Sequence, residues 1–121
     1  MIDLTRDSAP KEQTVIGYHA TNARAAASIR TFGFKCGLTG LAGGGIYFAT
    51  SEADAKRTSR HGSAVVLECE LRLGRTLTLE REGDRSMTLH ELNTMGFDSV
   101  KILRSGDEYV VYEPWRVSVV V

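Results

Sequence analysis

Short hydrophobic segments, separated by turn and capping residues, divide the chain into small elements. Where β-branched and aromatic residues cluster, or alternate with polar ones, the pattern predicts strands. The predicted strands are Thr14–His19, Ile46–Ala49, Ser63–Leu73, Arg75–Leu79, Ser99–Leu103, Glu108–Tyr112 and Val117–Val121. Gly74 separates the third strand from the fourth, and the glycine-rich stretch Gly37–Gly45 is predicted to be an irregular loop.

Capping signals predict three short helices. Thr21 or Asn22 caps the first, over Ala23–Thr31, and Gly33 stands where a left-handed residue ends it. Its buried face is predicted to carry Ala25, Ile29 and Phe32. The other two signals are Ser51 before Glu52–Ser59, and a capping box of Thr88 with Glu91 before a helix that ends at Gly96.

These elements predict an α+β domain with a mostly antiparallel sheet and two or three short helices. Residues 14–121 are expected to form this single domain, and residues 1–13 an N-terminal extension. A chain of 121 residues is long enough to bury a core without disulfides or metal.

The charge balance argues against one class of function. There are 15 Lys and Arg residues against 15 Asp and Glu, so no net field attracts nucleic acid by bulk charge. No apolar run is long enough to cross a membrane, and the polar start carries no secretory signal. We therefore expect a cytoplasmic protein, although an exported toxin can lack such a signal too. Cys36 and Cys69 lack zinc-site spacing and are expected to be reduced thiols.

Three separate motifs carry candidate chemistry. His19 ends a strand and is followed by two small residues, which leaves the backbone open to a ligand. Tyr47 follows three glycines, which allow close approach of the chain to a flat group that an aromatic ring can stack on. Glu108 begins an apolar strand and, if it faces a cleft, can stabilise a developing cation.

Each motif also has a structural interpretation. His19 alone is typical of a half-buried histidine bonded to a loop, glycine turns before aromatic strands are common, and a carboxylate at a strand start is often solvated. A phosphate-binding P-loop is excluded, because no Lys-Ser or Lys-Thr follows the glycines.

Together, in this order, the motifs resemble the catalytic domain of the poly(ADP-ribose) polymerase-like, or diphtheria-toxin-like, ADP-ribosyltransferases. That family carries a His-Tyr-Glu triad over three strands. The matching segments are His19-Ala20-Thr21, Gly45-Ile46-Tyr47-Phe48-Ala49 and Glu108-Tyr109-Val110-Val111-Tyr112. The helix over Ala23–Gly33 also matches, and the likeness covers nearly all of Gly17–Val121.

The resemblance implies an ADP-ribosyltransferase-like fold with a split sheet, and NAD⁺ as co-substrate without a metal. His19, helped by Thr21, would bind the adenosine ribose, and the backbone of Ala20 would pair with the nicotinamide carboxamide. Tyr47 would stack on the nicotinamide ring. Glu108 would bind a hydroxyl of the nicotinamide ribose and stabilise the oxocarbenium-like transition state as nicotinamide is released. Gly45 and Lys35 would border the NAD⁺ site, Lys35 beside adenine.

The match departs from the family at several positions. Ala20 replaces a glycine, Ala55 and Thr58 stand where a serine and a second stacking tyrosine are usual, and the loop over Lys35–Gly44 is short. The substitutions predict weaker nicotinamide binding, unless Tyr18 or Tyr109 compensates. The short loop favours mono-ADP-ribosylation of a protein acceptor, the enzyme itself included, although the glutamate that supports polymer elongation is present. We expect a monomer. Two alternatives stay open: a non-catalytic NAD⁺ or ADP-ribose binding module, and an NAD⁺-consuming transferase acting on nucleic acid.

The remaining polar and aromatic residues are expected to have structural or solvent roles. In the family register Glu108 is the catalytic glutamate, and Glu113 is interpreted as a solvated strand end on the opposite face. His61 and His90 are expected on the surface, and Trp115 in the core or packed at an edge. The cationic cluster is interpreted as a wet helix face that could instead meet an acidic or phosphorylated acceptor; its members are Lys56, Arg57 and Arg60.

Overall fold

The computed structural model describes residues 13–59 and 65–120, which form a seven-stranded sheet with three helices. The strands are β1 (Gln13–Thr21), β2 (Ile46–Ala49), β3 (Val65–Gly74), β4 (Thr76–Leu79), β5 (Ser99–Ile102), β6 (Glu108–Val111) and β7 (Val117–Val119). Their order across the sheet is β4-β5-β6-β2-β1-β3-β7. The helices are α1 (Ala23–Phe32), α2 (Glu52–Thr58) and α3 (Leu89–Thr94).

Five of the six strand pairings are antiparallel, and β4 pairs with β5 in parallel. The predicted α+β class with a mostly antiparallel sheet is therefore confirmed. All seven predicted strands are present, because each combines a short apolar run with flanking turn residues. The predicted loop over residues 37–45 is confirmed as irregular, with one isolated bridge between Leu41 and Gly43.

Several predicted boundaries are wrong by one or two residues, as expected where end residues satisfy their backbone groups in more than one way. The first strand continues to Thr21, two residues past its predicted end, and the predicted extension lies outside the described residues except for Gln13, which belongs to β1. Gly74 is the last residue of β3 and not a break before a strand at Arg75. Predictions for residues 63–64 and Val121 lie outside the described residues.

The capping predictions are confirmed in their geometry. The side chain of Asn22, not that of Thr21, accepts a hydrogen bond from the Ala25 backbone N–H at 2.7 Å and begins α1. Ser51 and Thr88 accept corresponding bonds at the starts of α2 and α3, both at 3.1 Å. Such caps satisfy backbone donors that a helix start otherwise leaves without partners.

The predicted buried face of α1 is partly wrong. Ala26 is the buried residue of this helix, Ala25 and Ile29 are half-buried, and Phe32 is 79% exposed. The helix ends at Phe32, so its ring projects beyond the sheet, and Phe34 fills the core position instead. Among the described residues, no helix has the length and apolar character that crossing a membrane requires.

Two hydrophobic cores lie on opposite faces of the central strands. In β6, Val111 belongs to the first core and Val110 to the second, because successive side chains of a strand point to opposite faces. The first core packs α1 against β1, β2 and β3, and its buried members include Ala26, Phe48 and Leu71. The second core packs α3 against β4, β5 and β6, through Leu92 among others.

Gly17 lets β1 lie close to this first core. A Cβ at this position would lie 2.6 Å from Leu71 Cδ1 and 2.9 Å from Phe48 Cβ, both closer than van der Waals contact. The missing side chain is therefore a packing requirement of the strand that carries His19.

We expect Gly17→Ala to destabilise the protein by about 1–3 kcal/mol through overpacking. Gly37→Ala is the matched control, because its new Cβ would meet its nearest neighbour, the Gly45 carbonyl, only at 3.4 Å. Urea unfolding of both variants measures the difference. Equal stability of the two variants would contradict this account of Gly17.

Candidate functional site

The structure brings the side chains of His19, Tyr47 and Glu108 to one pocket, although they come from three different strands. This small pocket has a volume of about 130 Å³. Its other lining residues are Tyr18, Ala20, Ala49, Ala55, Thr58 and Ser59. Ala55 and Thr58 reach it from α2 and Ala20 from β1, so all three substituted positions named above line the pocket.

The pocket lies where β1 and β2 separate. Only Tyr18 and Ala49 are in register between these two strands, whereas β1 and β3 pair over nine positions. Past this point the His19 side chain bridges the strands, because its Nδ1 lies 2.9 Å from the Tyr47 carbonyl oxygen. A hydrogen bond from the His19 side chain thus stands where a backbone hydrogen bond between β1 and β2 would otherwise form, and it leaves space between these two strands.

His19 is held as a neutral imidazole. Its ring packs edge-on against Phe34 at 5.1 Å and tilted against Phe48 at 5.7 Å. Burial lowers the pKa of His19 below its usual value, although the bond to the Tyr47 carbonyl acts in the opposite direction. A carbonyl only accepts, so Nδ1 carries the proton and Nε2 is left as an acceptor, suited to a ligand hydroxyl.

The hydroxyl of Tyr47 is fixed by the glycine loop. It accepts from the Ala42 backbone N–H at 2.8 Å and donates to the Gly43 carbonyl at 2.6 Å. Gly43 adopts φ +75, and a Cβ there would collide with the backbone of Met87, so this turn requires glycine. Burial, opposed by the Ala42 bond and aided by the charge of Glu108, raises the pKa of Tyr47, and the ring stays a neutral, oriented phenol.

Glu108 reaches the pocket from the first position of β6, opposite Ala49 of β2. Its side chain is 21% exposed, and its carboxylate forms an ion pair of 2.8 Å with Arg104. The carboxylate is therefore anchored, yet one side of it faces the pocket. The alternation predicted for this strand is confirmed for Val110 and Tyr112, which both belong to the second core.

A larger pocket of about 420 Å³ adjoins the small one and shares His19 and Tyr47 with it. Gly45 and Lys35, which the family resemblance implies as residues bordering a cofactor site, both line this large pocket. Its remaining lining residues are Ala25, Ser28, Ile29, Gly33, Phe34, Gly37, Thr39 and Ile46. Thr21 lines neither pocket among those described and pairs with Val65 at the end of β1, so the structure does not bring it to the site.

Sequence reasoning missed Arg104 and Phe34. Arg104 lies four residues before Glu108, on the far side of a turn. A spacing of four residues predicts a side-chain contact in a helix but not across a hairpin. Phe34 follows the helix-ending glycine, which gives a signal for a turn but not for burial. Both residues contact a predicted site residue directly.

The interpretation of Glu113 as solvated is wrong. Its carboxylate accepts from Arg116 Nε at 2.9 Å, and Arg116 is buried and also pairs with Asp98 at 3.4 Å. A buried guanidinium needs such partners, so Glu113 has a structural role. Of the two alternatives predicted for Trp115, the structure excludes the core: the residue is 56% exposed, and its ring packs against the guanidinium groups of Arg72 and Arg116.

Other candidate residues remain apart from the pockets. Cys36 is exposed and Cys69 buried, and both are free thiols; burial raises the pKa of Cys69 to about 11. His90 is exposed on α3, whereas His61 and Arg60 lie outside the described residues. Within residues 13–59 and 65–120, no group of three metal-ligating side chains is present.

Comparison with known proteins adds no family assignment. No protein-family model matches the chain, and no curated protein is significantly similar to it.

The buried, neutral state of His19 predicts a pH effect on stability. The pKa is lower in the folded chain than in the unfolded one, so the unfolded chain binds the proton more tightly. The contribution of His19 to the free energy of unfolding is therefore fully present above about pH 6.5 and is lost as the pH drops below this value. We measure the free energy of unfolding by urea at about pH 7 and at about pH 5.5. Its decrease at the lower pH should be smaller for His19→Asn, whose new side chain does not titrate, than for the wild type.

His90→Asn is the matched control for this measurement, because His90 is exposed. It should keep the pH dependence of the wild type. If His19→Asn and His90→Asn behave alike, the buried imidazole does not contribute as described.

Removing the Tyr47 hydroxyl tests whether its hydrogen bonds stabilise the glycine loop. Tyr47→Phe leaves the Ala42 N–H and the Gly43 carbonyl without their partner, at an expected cost of about 1–3 kcal/mol. Amide hydrogen exchange at Ala42 should become faster. Tyr109→Phe is the control, since the Tyr109 hydroxyl has no hydrogen-bond partner among the described residues. An equal loss of stability in both variants would show that the Tyr47 hydroxyl does not hold the loop.

Proposed function

We propose that this protein is an NAD⁺-dependent ADP-ribosyltransferase with the ADP-ribosyltransferase-like fold, which transfers ADP-ribose to a protein side chain and releases nicotinamide. The observation that carries the proposal is the convergence of three motifs, spread over residues 19 to 108, at one small pocket. Residues that only ended or began strands for structural reasons would have no need to meet.

The two adjoining pockets suit a substrate with two unequal halves. The small pocket, of about 130 Å³, would take the nicotinamide end, and the large pocket, of about 420 Å³, the adenosine end. His19 lies between them and has Nε2 as a free acceptor, which supports its role in binding a ribose hydroxyl. Lys35 beside the large pocket and the oriented ring of Tyr47 beside the small one agree with the roles that the resemblance implies.

Glu108 would perform the chemical step. A carboxylate at the edge of a partly enclosed pocket stabilises positive charge that develops on the nicotinamide ribose as the glycosidic bond lengthens. The ion pair with Arg104 holds the carboxylate in one orientation, so little reorganisation is needed during the reaction. Ala20, at the same pocket, would present its backbone to the carboxamide of nicotinamide.

Mono-ADP-ribosylation is the favoured outcome. The glycine loop over residues 37–45 closes on itself through a hydrogen bond of 3.0 Å from the Gly37 N–H to the Gly45 carbonyl. This compact loop leaves little protein surface with which to hold a growing polymer.

One specific observation favours a second function, that of a non-catalytic NAD⁺-binding module. Ala55 and Thr58 line the small pocket where the family places a serine and a second stacking tyrosine. Nicotinamide would then be held by one ring instead of two. Calorimetry that shows NAD⁺ binding, in samples that release no nicotinamide, would select this alternative.

The decisive experiment measures nicotinamide release and protein labelling with labelled NAD⁺. Glu108→Gln keeps the size of the side chain but removes its charge, and is expected to lower kcat about 10²–10³-fold. Glu113→Gln is the matched control: it should lose stability, because it weakens the contact with Arg116, yet keep turnover. A wild-type protein that folds but neither binds NAD⁺ nor releases nicotinamide would refute the proposal.

A further inference from the structure

A third pocket also has Glu108 in its lining. It is formed by α2, the hairpin between β5 and β6, and the segment after β4, and it has a volume of about 210 Å³. It shares Glu108 and two further residues with the small pocket, so the two pockets adjoin. We call it the arginine pocket, because Arg57, Arg81 and Arg104 line it.

Two of these arginines are only partly used by the protein. Arg57 contacts Asp54 at 2.9 Å and the Ser105 carbonyl at 3.3 Å, both through Nη2. Arg104 contacts Glu108 through Nη1. Each guanidinium carries five N–H donors, so both keep donors available to a ligand.

Arg81 has no ion-pair or hydrogen-bond partner among the described residues. Among the described residues, three guanidinium groups therefore line the pocket against two carboxylates, those of Asp54 and Glu108. These groups leave one positive charge more than the two carboxylates balance, next to Glu108, whose side chain lines both pockets. A surplus cation with free, forked donors favours an oxyanion as the ligand.

We infer that the arginine pocket is the acceptor site, and that the acceptor is a phosphate monoester carried by a protein side chain. This inference rests on the proposed function and names its substrate class. A phosphate monoester has three terminal oxygens that share its negative charge, so one can react while two accept from the guanidinium groups. A carboxylate would keep only one oxygen for three arginines.

The chemistry also favours an acceptor that is already ionised. A neutral hydroxyl would need a base, but Arg57, followed by Ser51, lowers the pKa of Asp54, and Glu108 is held by Arg104. A phosphate monoester is mostly a dianion near neutral pH. Nicotinamide leaves with the electron pair of the glycosidic bond, a phosphate oxygen donates a lone pair to the ribose carbon, and a phosphodiester monoanion forms without proton transfer.

The surroundings of the pocket favour a protein over a nucleic acid. Arg81 is flanked by Glu80 and Glu82, both exposed, and Glu52 is exposed on α2. A nucleic acid would bring further phosphates toward these acidic residues, whereas its binding needs a continuous basic surface. Of the described residues that line the arginine pocket, none is an aromatic residue on which a base could stack.

The test compares matched substrates with labelled NAD⁺. Short synthetic peptides of one sequence carry phosphoserine, serine or glutamate at a single position, and a 5′-phosphorylated oligonucleotide is the fourth substrate. We expect the phosphoserine peptide to be labelled at least about tenfold faster than the others, as one surplus charged contact would give. Equal labelling of the glutamate peptide, or faster labelling of the oligonucleotide, would overturn the inference.

Arg81→Gln tests the site itself, with Arg24→Gln as control, since Arg24 is exposed on α1 and lines none of these pockets. The ratio of phosphopeptide labelling to hydrolysis of NAD⁺ should fall about tenfold in Arg81→Gln and stay unchanged in the control. Binding of a fluorescent phosphopeptide, measured by anisotropy, needs no turnover and should weaken in parallel.

The two proposals fail in different ways. Absent nicotinamide release, with phosphopeptide binding that depends on Arg81, would refute the enzyme and leave an anion site. Nicotinamide release without any effect of Arg81→Gln on labelling or binding would refute the acceptor site and leave the enzyme.

Discussion

The site depends on the incomplete pairing of β1 with β2. One registered pair, Tyr18 with Ala49, joins the two halves of the sheet, and the side chain of His19 then bridges to the carbonyl of Tyr47. Full pairing would close the space from which the small pocket is formed. The separation is tolerated because His19 satisfies a carbonyl that would otherwise lack a partner at the edge of the gap.

Much of the fold follows from local patterns. The strands around Tyr47 and Glu108 are predictable, because short β-branched runs between turns have few alternative structures, and the Asn22 cap and Gly33 stop locate α1. The three candidate site residues could be named because their motifs occur in a known order. Their meeting at one pocket depends on the strand order, which periodicity does not contain.

Tertiary contacts determine the environments of the residues that were missed or wrongly interpreted from the sequence. Phe32 has the spacing of a buried residue, but its helix ends there and the sheet does not reach it. Glu113 resembles a solvated strand end until the fold places Arg116 beside it. Arg104 pairs with Glu108 only because the hairpin returns the chain, so sequence spacing alone gives no signal for it. The donor, the acceptor and the compartment stay predictions.

The single registered pair between β1 and β2 has a mechanical consequence. Strand β2 is paired with β6 along its whole length but with β1 at one position, so the seam beside the pockets is the weakest line across the sheet. A ligand that touches both His19 and Glu108 spans this seam. Such a ligand would link the part of the sheet that contains β1 to the part that contains β2 and β6. The separation of β1 from β2 would therefore require more free energy with the ligand bound than without it.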